Sequence, residues 1–234
     1  MTRSSVRSAL RATAETLTTI DIAVYQRWEK DPLEPIIGGG DPNARICFFG
    51  RDPGKDEVRW GMPFIGAGGQ KVRKGLYKVL YNEEMPDFQA SMDVGTFAFW
   101  ANTVPFKPVG NKAWSMAVQK QCHPQISDVL VHDWFGRDIL TLGRNAFFWF
   151  GIHQSKQVRT KLKEFWSNEL RFEQFIEISI QAQDGTTKTV RIHPLPHPSP
   201  LNATWYSRFP SLLEGRLRTL ALTRKEWTVH NGND

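Results

Sequence analysis

A four-residue apolar run, Ile46 to Phe49, ends abruptly in Gly50-Arg51-Asp52-Pro53-Gly54. This join constrains the chain more than any other stretch. A short continuous apolar segment closed by glycine and proline reads as a strand buried on both faces, which belongs inside a parallel sheet covered by helices. Asp52 follows immediately on a loop punctuated by Gly50, Pro53 and Gly54. A dozen residues later come Pro63-Phe64 and the glycines Gly66, Gly68 and Gly69, which bring backbone close to a neighbour and open a helix. Ligands of open α/β sheets bind beyond the carboxyl ends of the strands, so an acid and an aromatic on one such loop point to a pocket.

The rest of the chain alternates in the same sense. Residues 5–29 read as one amphipathic helix closed by Pro32 and Pro35, a packing helix in preference to a DNA-binding arm. Gln70 to Leu80 predicts a helix whose first amides face the pocket. Thr96 to Asn102 reads as a strand delivering Asn102 to the same edge as Asp52. A long helix follows to His132, bent near Pro124. Ile139 to Leu142 is a strand, Arg144 to Gly151 a short helix and residues 155–169 another. Gln174 to Gln181 and Thr187 to His193 alternate as strands around the hairpin signal Asp184-Gly185. A final helix spans about 209–226. The expected fold is α/β, three layers with a central, mainly parallel four-stranded sheet, in one domain over 1–234 with 1–37 a helical extension.

Composition narrows the function classes. A net charge of +6 and pI near 9.4 suit a partner that is nucleic acid or an anionic surface. Nine Trp and fifteen Phe supply core bulk and, in part, surfaces for stacking bases. Two cysteines, Cys47 and Cys122, make no disulfide framework, which fits a reducing cytoplasm. No apolar run reaches membrane-spanning length, and Arg3, Arg7 and Arg11 interrupt any signal-peptide core.

Gly50-Arg51-Asp52-Pro53-Gly54 with Gly61-Met62-Pro63-Phe64-Ile65-Gly66 resembles the first motif of the uracil-DNA glycosylase superfamily. His197-Pro198-Ser199-Pro200-Leu201-Asn202 resembles its second, and Asn102 and the segment 140–146 match between them. The resemblance covers roughly residues 45–222. It implies hydrolysis of the N-glycosidic bond of uracil flipped out of DNA, leaving an abasic site for base excision repair. The partners implied are uracil-containing DNA and free uracil as product, for a monomeric enzyme away from membranes.

The same resemblance assigns roles. The reaction separates charge, the sugar becoming cationic and the departing base anionic. Asp52 would stabilise the sugar cation and align a water; alone it reads better as a loop aspartate capping a turn, and His197 tips the reading to catalysis. His197, as neutral imidazole, would donate to the uracil oxygen where charge develops, whereas His193 reads as structural. Gly50, Arg51, Phe64 and Asn102 would line the uracil, Phe64 by stacking and Asn102 by reading the base edge. Ser199, Pro200, Leu201 and Asn202 would meet DNA, with Leu201 wedged into the gap left by the flipped nucleotide. Lys107, Lys112 and Arg208 are candidate phosphate contacts, for which a solvated charge is the simpler account.

Three departures matter. Gly54 stands where one branch has a tyrosine that excludes the thymine methyl, Arg51 replaces a glutamine or glutamate, and no basic insertion follows Asn102 of the kind found in relatives that trap DNA covalently. Some branches hold a four-cysteine iron–sulfur cluster, a ligand set two cysteines do not supply; no cofactor and no metal are expected. The alternatives are a glycosylase for another deaminated base such as hypoxanthine, permitted by Gly54, and a uracil-DNA binding module with little turnover.

Overall fold

Residues 2–199 and 202–220 are described by the computed structural model. Strand β1 (Gly39–Gly40) precedes β2 (Ile46–Gly50), β3 (Phe99–Asn102), β4 (Asp138–Leu142), β5 (Ile176–Gln181) and β6 (Thr187–Leu195). They form one six-stranded sheet in the order β1-β3-β2-β4-β6-β5. The four central strands β3, β2, β4 and β6 are parallel, and β1 and β5 add antiparallel edges. The expected mainly parallel sheet is therefore present, with six strands instead of four. The extra edges are a two-residue strand too short to carry a pattern and the outer arm of the 176–195 hairpin.

Alternation along β2 explains the layers. Ile46 and Phe48 point into one apolar cluster, and Cys47 and Phe49 into another on the opposite face. The first face is covered by α4 (Ala67–Tyr81), α5 (Phe88–Val94) and α10 (Phe209–Leu220), through Val72, Leu76, Val94, Leu213 and Leu217. The second is covered by α1 (Arg3–Glu15), α2 (Ile22–Arg27), α6 (Met116–Asp128), α7 (Arg144–Trp149) and α8 (Lys156–Ser167). Their Leu10, Tyr25, Ile126, Phe147 and Leu162 share its core with Cys47 and Phe49. Every residue of β2, β3 and β4 is buried, as an apolar strand between two helical layers must be. Among the described residues, two further short helices are α3 (Lys55–Trp60) after β2 and α9 (Ala203–Tyr206) before α10.

The helix expected over 5–29 is two helices. Thr16 to Asp21 breaks it where threonines are poor helix formers, and Ile20 bridges Pro108 as a single β-pair. The arginines of α1 are bound within the chain: Arg7 lies 2.7 Å from Glu34, Arg11 2.7 Å from Asp31 and 3.0 Å from Glu34, and Arg3 3.6 Å from Asp133. This supports the packing reading of the segment. The long helix containing Pro124 runs on into a π-helical turn at Val129–Asp133. The last helix is described to Leu220; residues 221–226 of the expected span lie outside the described residues.

Candidate active site

Four loops leave the carboxyl ends of the parallel strands, and the candidate residues lie on them. Gly50 ends β2 and Asn102 ends β3, in register with each other. Gly143 follows β4, and the His197 loop follows β6. Gly143 has φ +93°, a conformation glycine adopts without strain, and a Cβ there would lie 3.0 Å from His197 Cβ. A Cβ on Gly68 would lie 3.5 Å from Pro198 Cγ, so the second motif rests against the end of the first.

Phe64 stands over Gly50. A Cβ on Gly50 would lie 2.6 Å from both Phe64 Cζ and Asn102 Oδ1, so the glycine is what lets ring and amide converge. Phe64 is buried, with its ring 5.3 Å from that of Trp100. Its φ of +57° is strained for a non-glycine residue, by about 1–3 kcal/mol. The strain is held by a buried arginine: Arg73 Nε donates to the Phe64 carbonyl at 2.9 Å and Nη1 to the Ser91 carbonyl at 2.6 Å. Asn102 is also buried.

The Asp52 carboxyl is only 4% exposed. Burial pushes its pKa up to about 6, against the opposing pull of Arg51 and, less strongly, Lys107. Arg51 Nε donates to Asp52 Oδ1 at 2.6 Å and Nη2 to Oδ2 at 3.2 Å. His197 is half-buried; burial first, and then the positive charge of Arg51, push its pKa down to about 4, so the ring is neutral at physiological pH. Asn202 donates from Nδ2 to the His197 carbonyl at 3.2 Å and from its backbone N–H to the Ser199 carbonyl at 2.9 Å. Pro200 and Leu201, expected to meet DNA, lie outside the described residues.

One residue not singled out from the sequence organises the first motif. Glu57, buried at the first turn of α3, accepts from Gly54 N–H at 2.9 Å with Oε2 and from Gly66 N–H at 3.0 Å with Oε1. It joins the loop of Asp52 to the loop of Phe64. An acid three residues after a loop glycine at a helix start is a capping signal and was the available clue. Lys107 corrects an expectation: it is buried, 3.2 Å from Asp21 and 2.8 Å from the Pro108 carbonyl, and so is neither solvated nor free for phosphate. Lys112 and Arg208 are exposed, Arg208 lying over the Trp205 ring.

His193 belongs to the other end of the sheet. Its Nε2 lies 2.9 Å from Asp138 Oδ1 at the start of β4, beside an Arg191 contact of 2.6 Å to the same carboxyl. A surface cavity of about 360 Å³ lined by His123, Phe150, His153 and Gln183 contains none of the motif residues.

A buried acid just past a central strand can stabilise positive charge, a neutral histidine after β6 can donate to a developing anion, and a buried amide beside a ring offers both a donor and an acceptor. A family model described as the uracil DNA glycosylase superfamily matches residues 37–221. The chain belongs to the uracil-DNA glycosylase superfamily. It is an enzyme of the DNA glycosylase class, which acts in DNA repair. The chain is also similar to a protein named Type-4 uracil-DNA glycosylase from Sulfurisphaera tokodaii, 25% identical over 199 residues, covering 83% of this chain and 78% of the relative. Cys47 and Cys122 are both buried and free, and they do not fit a four-thiolate cluster. No described helix is long and apolar enough to cross a membrane.

Proposed function

We propose that this glycosylase is a monofunctional uracil-DNA glycosylase that takes uracil out of the DNA stack, hydrolyses its N-glycosidic bond and leaves an abasic site. The observation that supports the reading is placement: three widely separated segments carry Asp52, Phe64, Asn102 and His197 at or beyond the carboxyl ends of the parallel strands, with Phe64 and Asn102 both against Gly50 and with Arg51 paired to Asp52 and within electrostatic reach of His197.

The flipped uracil stacks on Phe64 with its edge towards Asn102, whose amide offers both a donor and an acceptor. As the bond from C1′ to N1 lengthens, its electron pair moves to the base and positive charge gathers on the sugar. Ionised Asp52 stabilises that charge. Neutral His197 donates a ring N–H to the uracil oxygen that becomes anionic; an imidazolium is not needed, and the low pKa of His197 keeps the donor neutral. Water then bonds to C1′ and gives its proton to Asp52, while the uracil anion departs. Lys107, the lysine whose charge reaches Asp52, is tied to Asp21 and to the Pro108 carbonyl. This favours base release without strand scission.

The chain reads as one domain with the α1–α2 segment packed on it, working as a monomer on uracil-containing DNA in the cytoplasm. Ser199, Pro200, Leu201 and Asn202 form the DNA-facing loop, with Leu201 as the wedge. Gly54 leaves without a side chain the position where one branch excludes the thymine methyl, which favours a second reading, acceptance of a further deaminated base such as hypoxanthine.

The test uses end-labelled single- and double-stranded oligonucleotides carrying one uracil, incubated with the protein and then treated with alkali. Cleavage at uracil only after alkali is the expected result. Strands intact at uracil but cut at hypoxanthine would establish the second reading, and selective retention of uracil-DNA without base release would make the protein a binding module.

A further inference from the structure

We propose that Arg51 is a positioning residue of the reaction, holding the Asp52 carboxylate ionised and fixing the direction in which its free lone pairs point. The inference rests on the glycosylase reading for its consequence in catalysis, although the ion pair itself does not depend on that reading.

The geometry is specific. Arg51 and Asp52 meet through two contacts, Nε to Oδ1 at 2.6 Å and Nη2 to Oδ2 at 3.2 Å. Such a side-on fork fixes the plane of the carboxylate as well as its charge. The guanidinium is itself held: Nη2 also donates to the Asn111 carbonyl at 2.9 Å, on the loop that leaves β3. The Arg51 carbonyl accepts from Val104 N–H at 3.2 Å and from the Thr103 hydroxyl. Arg51 is thus anchored through backbone and side chain to the loop that follows Asn102. Each Asp52 oxygen keeps a lone pair outside the fork for water or the sugar.

The charge is needed because of where Asp52 lies. Burial raises its pKa, and Glu57, on the helix packed beside it, raises it further. Lys107, from the loop after β3, opposes this more weakly than Arg51, and its ammonium is shared with Asp21. His197, across the site, is neutral and adds no positive charge. Arg51 is therefore the principal counter-charge of an acid whose ionised form the reaction uses. A lysine would keep the charge but not the two-point fork.

The experiment compares wild type, Arg51→Gln, Arg51→Lys and Asp52→Asn in two measurements. The first is single-turnover cleavage of uracil-containing DNA from pH 5 to 9.5. Arg51→Gln is expected to move the acid limb upward by roughly one to three pH units and, because it also loses the two-point fork, to lower the plateau at high pH. Arg51→Lys is expected to leave the limb near its original position and lower the plateau. An unmoved limb in Arg51→Gln overturns the proposal, whether or not the plateau falls. The second is direct titration of the Asp52 carboxyl carbon by NMR in folded wild type and Arg51→Gln. An unchanged midpoint overturns the proposal even if no uracil is released. Failure of the glycosylase reading looks different: Asp52→Asn would cleave as fast as wild type, or wild type would not cleave, while the NMR midpoints still shift.

Discussion

Gly50 and Asn102 lie in register at the ends of two parallel strands, so close that a Cβ on Gly50 would lie 2.6 Å from Asn102 Oδ1. The same Cβ would lie 2.6 Å from Phe64 Cζ. The close approach of ring and amide over this strand end therefore depends on an absent side chain. Gly50→Ala is expected to displace Phe64 or Asn102, to destabilise the protein by about 1–3 kcal/mol and to lower uracil release more than DNA binding. Thermal unfolding with single-turnover cleavage checks both; normal turnover in a folded variant would remove the convergence from the mechanism.

Burial pushes the Asp52 pKa up to about 6, and the proposed role at the sugar cation requires its ionised form. Cleavage should therefore fall below about pH 6 and level off above it. Asp52→Asn should lower the plateau by about 10²–10⁴-fold and leave DNA affinity largely intact. A pH–rate profile alongside a binding isotherm makes the comparison, and a wild-type rate that keeps rising below pH 6 would contradict the role.

His197→Ala should cost about 10²–10³-fold in the chemical step. The ring is neutral from about pH 4 upward, so its loss should not move the acid limb set by Asp52. A limb that shifts in this variant would show that the two groups titrate together.

Stability should also vary with pH, with opposite signs from two groups. His197 and His123 have folded pKa values of about 4, below the ordinary 6.5. The unfolded chain takes up their protons first, so their contribution is complete above pH 6.5 and is lost as pH falls through 4, by up to about 3 kcal/mol each. Asp52 has a folded pKa above its ordinary 3.8. Its contribution is complete below 3.8 and lost as pH rises through 6. Asp52→Asn should therefore be as stable as wild type or more stable above pH 6, and the difference should vanish near pH 4. Melting curves from pH 4 to 8 test both signs.

Asp21 holds Lys107 at 3.2 Å, with the lysine side chain 4% exposed and the carboxylate 18%. Asp21→Asn should destabilise the fold by about 3–5 kcal/mol, because it leaves a buried cation without its counter-charge. Lys107→Met in the same background should recover part of the loss, which chemical denaturation of the single and double variants would measure.

Several features were legible in the chain without coordinates. The Ile46–Phe49 run, the strand ending at Asn102 and the hairpin around Gly185 announce a parallel sheet with an antiparallel edge, because periodicity and turn chemistry are local properties. Asp52 and His197 were legible as a pair only through the motifs around them. The tertiary structure decided what depends on neighbours distant in sequence. The helix break at Thr16 to Asp21 follows from Ile20 pairing with Pro108 and Asp21 meeting Lys107, contacts more than eighty residues long. Glu57 bridges the amides of Gly54 and Gly66, Arg73 holds the strained Phe64, and Arg51 turns back onto Asp52. Charge state belongs to the same class: a carboxyl near pH 6 and an imidazole near pH 4 arise from burial, which folding imposes and no residue carries alone.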